Sequence, residues 1–96
     1  MAKAYIVFTE DIHDRDGMAD YMTLAAASFA GHKGRPLALG PVDEVVEGEW
    51  HGNQTVIMEF DSLEEAKAWY HSEAYAKAIP VRQAAADCKA VIIQGF

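Results

Sequence analysis

The chain has a single cysteine, Cys88, among 96 residues. That excludes a disulfide framework and a cysteine-based zinc site. Cations are scarce as well: 8 Lys and Arg stand against 15 Asp and Glu, giving a formal charge of −7 and a pI of about 4.9. Nucleic acids and anionic membranes both demand a cationic surface, so neither is an expected partner. No apolar run approaches the roughly 20 residues that cross a bilayer. The opening MAKAYIVFTEDIHD has one lysine, early acidic residues and no small-residue cleavage site. It reads as a first strand and not as a secretion signal, and a cytoplasmic location is the expectation. A glycine-rich phosphate loop and a Ser-His-Asp pattern are also missing. His13, His32, His51 and His71 form no i, i+4 pair and no zinc-ligand spacing, so neither a metal nor a cofactor is expected.

What remains is an ordinary globular composition, 51% hydrophobic and 24% charged, long enough for one domain over residues 1–96. Lys3 to Thr9 alternates as a strand, with Tyr5, Val7 and Thr9 on one face and Ala4, Ile6 and Phe8 on the other. Asp14 or Asp16 can cap a following helix whose apolar stripe is Met18, Tyr21, Met22, Ala25 and Phe29. Gly31 and Gly34 stop it. A second strand is expected from Leu37 to Trp50. Pro36, Gly40 and Pro41 would confine it to a sheet edge, bulged near Gly40. The acidic run from Asp43 through Glu49 suits a solvated edge. Gly52-Asn53 suits a tight hairpin turn into TVIMEF.

Ser62 and Glu65 form a capping box before a stripe of Leu63, Ala66, Trp69 and Tyr70. Pro80 interrupts this second helical region, which continues through VRQAAAD with Asp87 near its end. KAVIIQG supplies the last strand. The order β-α-β-β-α-β predicts an α+β, ferredoxin-like fold: a four-stranded antiparallel sheet with two helical regions on one face. The strands are apolar on both faces, as in Val56, Met58 and Phe60 against Thr55 and Ile57, or Val91 and Ile93 against Ala90 and Ile92. A bare apolar sheet face is too large a patch for a monomer, so a homodimer with sheets packed face to face is expected.

In this order the segments GHKGRPLALGP, VEGEW, VIMEFDSLEEAKAWYHSEAY and VRQAAAD, with the KAYIVF start, resemble those of the dimeric α+β barrel superfamily. Within it the chain is most similar to domain-of-unknown-function family 1330, over nearly its whole length. The resemblance implies the dimeric α+β barrel fold and no settled activity. Lys33 stands where that family's pattern has the first of two glycines, which makes Gly34 the expected left-handed position.

Several residues carry possible chemistry. Arg35 offers a planar fork to a carboxylate or phosphate, and His32 can exchange a proton near neutral pH. Equally, Arg35 can pair with Glu47 or Glu49, and His32 can sit at the helix's negative end. Glu59 lies within an apolar strand, a costly place for a carboxylate, and is a candidate proton acceptor or one half of an ion pair with Arg82. Trp50, Trp69, Tyr70 and Tyr75 read first as core aromatics, with Trp50 and Tyr70 the candidates to shape a pocket. Cys88 reads as a small buried hydrophobe. The expected function is thus a small-molecule pocket between helices and sheet. There Glu59 or His32 would act as base, Arg35 or Arg82 would hold a small organic anion or aromatic ligand, and Trp50 and Tyr70 would shape the walls. The reaction would be proton transfer or cofactor-free oxidation. A non-catalytic ligand-binding dimer and a purely structural one are the alternatives.

Overall fold

The computed structural model describes residues 2–96, and alternation in the first strand decides its layering. In β1 (Ala4–Ile12), Ala4, Ile6, Phe8 and Glu10 are buried while Tyr5, Val7 and Thr9 are only partly so. Helix α1 (Arg15–Ser28) follows, then β2 (Arg35–Gly40) and β3 (Gln54–Phe60). Three short helices come next, α2 (Leu63–Tyr70), α3 (Glu73–Ala76) and α4 (Ile79–Ala85), and β4 (Ala86–Gln94) ends the series. The four strands form one antiparallel sheet in the order β2-β3-β1-β4. This is the ferredoxin-like arrangement expected from the element order.

The core lies between the helices and one face of the sheet. Ile6, Phe8, Val56, Met58 and Phe60 meet Met18, Tyr21, Ala25, Ala66, Trp69 and Tyr75 there. Cross-strand partners share a face, so the register sets Val7 beside Ile57 and Val91, and Tyr5 beside Ile93, on the opposite side. Among the described residues no helix covers that side. Val91 is 59% exposed and Ile93 55%.

Local signals explain most boundaries. Asp14 Oδ1 accepts the Gly17 N–H at 3.1 Å, and Ser62 Oγ accepts that of Glu65 at 3.1 Å, so both expected caps are in place. Pro80 sits in the first turn of α4, where its missing N–H costs no helical hydrogen bond.

Other boundaries depart from the sequence reading. The first strand runs past Thr9 to Ile12, because β4 pairs with it as far as Ile12↔Ala86. Asp87 lies in that last strand and not in the helix before it. The second strand is the expected edge, but it ends at Gly40, where φ is +152° and Pro41 follows without a donor. Its irregularity falls between Pro36 and Ala38, earlier than expected. Asn53 makes no tight hairpin. Its side chain bonds the Ile12 N–H and C=O at 3.0 and 3.1 Å, pinning the long β2–β3 connection to the end of β1. The left-handed position after α1 is Gly31, at φ +80°, and not Gly34. Gly34 serves space instead: a Cβ there would collide with the rings of Phe60 and Phe29.

Candidate functional site

The phase of β1 that buries Ala4, Ile6 and Phe8 brings Glu10 to the same side two residues later. Its partner in β3 is Gln54, whose Nε2 donates to Glu10 Oε1 at 2.8 Å. Above these strands α1 lines the space with the buried Tyr21 and Ala25 and the more exposed Met22 and Ala26, and Phe29 follows at its C-cap. Small alanines on the helix leave room. The result is a cavity of about 270 Å³ between α1 and the β2-β3-β1 part of the sheet. Its walls are apolar, with Phe8, Val56, Met58, Pro36 and Leu39 on the sheet side and Trp69 at the back. Glu10 is the one charged residue in the lining, and it is only 2% exposed.

The aromatic wall is held firmly. Trp69 stacks on Phe29 at 4.6 Å between centroids, and its Nε1 donates to the buried Ser28 Oγ at 2.9 Å. Tyr21 and Tyr75 share a buried hydroxyl–hydroxyl hydrogen bond of 2.8 Å, and burial pushes both phenols above their usual range, Tyr21 far above it. Arg82 lies behind this wall, 3% exposed, with its guanidinium 5.3 Å from the centroid of the Phe8 ring and 6.0 Å from that of Tyr21. Its buried Nε has no hydrogen-bond partner among the described residues. Glu10 and Arg82 are thus the two buried charged residues among those described, and no ion pair joins them.

The other residues singled out from sequence are distributed differently. Arg35 meets neither Glu47 nor Glu49. It is the β2 partner of Glu59, and its Nε and Nη2 both lie 2.7 Å from Glu59 Oε1. Tyr5 Oη donates to Glu59 Oε2 at 3.1 Å, and Arg35 also donates to Asp61 at 3.2 Å. Burial pushes the Glu59 carboxyl up, but the hydrogen bonds from Arg35 and Tyr5 outweigh it and hold it below the usual carboxylate range. Glu59 therefore does not pair with Arg82: strand alternation puts it on the sheet face away from the helices, and Arg82 on the helix side. Trp50, 51% exposed, donates from Nε1 to Thr55 Oγ1 at 2.9 Å and lies over that same outer face. Next to it His51 Nδ1 is 2.7 Å from Thr9 Oγ1, and its Nε2 is 3.6 Å from Asp87. His32 lies in the turn after α1, its backbone N–H bonded to Phe29 C=O at 2.9 Å. Tyr70 is half-buried, its ring 5.3 Å from that of Tyr75. The structure brings Arg35 and Glu59 together and leaves His32, Trp50, Tyr70 and Arg82 in separate surroundings.

The model of the domain of unknown function DUF1330 matches residues 3–96. The chain belongs to the DUF1330 family. No match is found among curated proteins. Among solved structures, this DUF1330 chain is similar to a protein of unknown function from Rhodopseudomonas palustris, with a TM-score of 0.79 at 16% identity over 99% of this chain and 83% of that one. It is also similar to SnoaB, a cofactor-independent oxygenase from Streptomyces nogalater, with a TM-score of 0.70 at 10% identity, covering 100% of this chain and 95% of that one. A dimeric ferredoxin-like protein of unknown function from Thermobifida fusca gives 0.65 at 14%, over 99% and 92% of the two chains. At these identities the likeness establishes the fold.

Glu10 and Gln54, the polar pair in the cavity of this DUF1330 protein, escaped the sequence reading. Ending the strand at Thr9 hid Glu10, although the period of two that runs through Ala4, Ile6 and Phe8 points straight to it. Gln54 carried no signal of its own, since its place depends on the register of β3 against β1.

Proposed function

We propose that this DUF1330 protein is a cytoplasmic homodimer. In it the cavity of each protomer binds a small hydroxylated aromatic molecule, with Glu10 accepting the proton of the ligand hydroxyl when the ligand reacts. The observation that carries this reading is Glu10: a carboxylate 2% exposed in an otherwise apolar wall, given one side-chain hydrogen bond by Gln54 among the described residues. A buried carboxylate has room for more donors than that, and a hydroxyl is a donor of the right size. Phe8, Tyr21, Phe29 and Trp69 supply flat surfaces for a ring. A volume of about 270 Å³ is nearly twice the ~150 Å³ that accommodates benzene, so one or two rings fit. Arg82 behind Phe8 and Tyr21 favours negative charge arising on the ligand oxygen. Loss of that proton makes a phenol electron-rich and open to oxidation by dioxygen, and the SnoaB likeness is compatible with that class of chemistry.

The dimer reading is supported by the uncovered Val7, Ile57, Val91 and Ile93 face and by the description of a structural neighbour as dimeric. Arg35 and Glu59, fixed to each other on that face, would order its rim. Sedimentation of a stable monomer at micromolar concentration contradicts the dimer.

Calorimetric titration with 2-naphthol and with 2-methylnaphthalene tests the cavity. The hydroxylated compound binds more tightly, and Glu10→Gln narrows the difference, because a charge-assisted hydrogen bond is roughly twice as strong as a neutral one. Equal binding of both compounds to the wild type removes Glu10 from the account. Oxygen uptake with bound 2-naphthol separates turnover from binding alone.

A further inference from the structure

The cavity does not end at Gln54. A second hollow of about 190 Å³ adjoins it, lined by Ile12, Arg15, Met18, Met22, Leu39 and Gln54. Met22, Leu39 and Gln54 line both, so the two form one cleft running from Trp69 at the back toward the first turn of α1. The inner part presents a carboxylate, Glu10. The outer part presents a single charged residue, Arg15. Asp14, its neighbour in sequence, uses Oδ1 to cap Gly17 N–H, and among the described residues Arg15 takes part in no ion pair. A guanidinium at the mouth of an apolar cleft offers a fork of N–H donors to a planar anion.

We infer that the ligand class is a hydroxylated aromatic acid: its hydroxyl meets Glu10 beside Gln54, its rings lie against Met22 and Leu39 where the two hollows join, and its carboxylate meets Arg15 at the mouth. This rests on the cavity reading above. The net charge of −7 works against an anion at long range. That repulsion is screened beyond about 8–10 Å at physiological salt, whereas contact with Arg15 is not.

The test uses 2-naphthol and 6-hydroxy-2-naphthoate as probes, titrated calorimetrically into the full chain and into Arg15→Gln. The acid is expected to bind the wild type about fivefold more tightly than 2-naphthol, the factor conveyed by an ion pair at a partly exposed site. Arg15→Gln, a surface change, should erase that advantage and leave 2-naphthol binding as it was. If 2-naphthol binds but the acid shows no advantage, or keeps it in Arg15→Gln, the inference about Arg15 is overturned while the cavity stands. If neither probe binds the wild type, the cavity reading itself fails and this inference goes with it.

Discussion

Filling the cavity from within changes stability in a direction that depends on whether the space is there. Ala25 lines the cavity from α1, on the buried stripe that also carries Met18 and Tyr21. Ala25→Leu adds three carbons. At about 0.8 kcal/mol per buried methylene the gross gain is about 2 kcal/mol. Because the cavity opens at one end, part of the new side chain stays wet, and a net gain of about 1–2 kcal/mol is expected. For a chain of 96 residues each kcal/mol moves Tm by about 4–8 °C. Thermal unfolding should be followed by circular dichroism at one protein concentration, since dimerisation makes Tm concentration-dependent. The same variant should lose affinity for 2-naphthol, because leucine occupies the ligand's volume. If Ala25 instead faces packed atoms, the extra carbons cost about 1–3 kcal/mol and Tm falls. A lower Tm with unchanged naphthol binding would refute both the cavity and its assignment.

Ser28→Ala leaves the buried Trp69 Nε1–H without its acceptor, and urea denaturation should show a loss of about 1–3 kcal/mol. Gly34→Ala forces a methyl into the Phe29 and Phe60 rings and should cost about 1–3 kcal/mol in the same assay. Glu59 and Asp61 are both held below the usual carboxylate range in the folded state, Asp61 chiefly by its hydrogen bonds from Arg35 and Lys3. Their contribution is therefore complete above the ordinary range near 4.5 and 3.8, and is lost as pH falls through the lowered folded values. A Tm–pH profile of Glu59→Gln should accordingly drop less steeply on the acid side than that of the wild type.

The parts of this molecule that are readable in sequence are those set by local period and local capping. The alternation in KAYIVFT, the Asp14 and Ser62 caps and most of the apolar stripe of α1 involve residues a few positions apart and reappear in the structure. Met22 of that stripe, however, is 45% exposed, and Ser28 is buried in the helix instead. The pairing of charges is another matter. Arg35 finds Glu59 through the β2–β3 register, which an irregularity at Leu37 shifts, and no count along the chain gives that offset. Arg82 and Glu59 looked complementary because both are charges in apolar segments, yet the sheet lies between them. The cavity was the least legible feature. It is the volume left when α1 presents the short Ala25 and Ala26 side chains toward Phe8, Val56 and Met58 of the sheet.

The central claim is that the space between α1 and the sheet, and not the Arg35–Glu59 face, receives the ligand. Amide chemical-shift mapping during titration with 2-naphthol tests it most directly. The account predicts saturable shifts at Phe8, Glu10, Ala25, Phe29 and Val56, with Arg35 and Glu59 undisturbed. Shifts confined to Tyr5, Arg35 and Glu59, or none at any naphthol concentration, would contradict it.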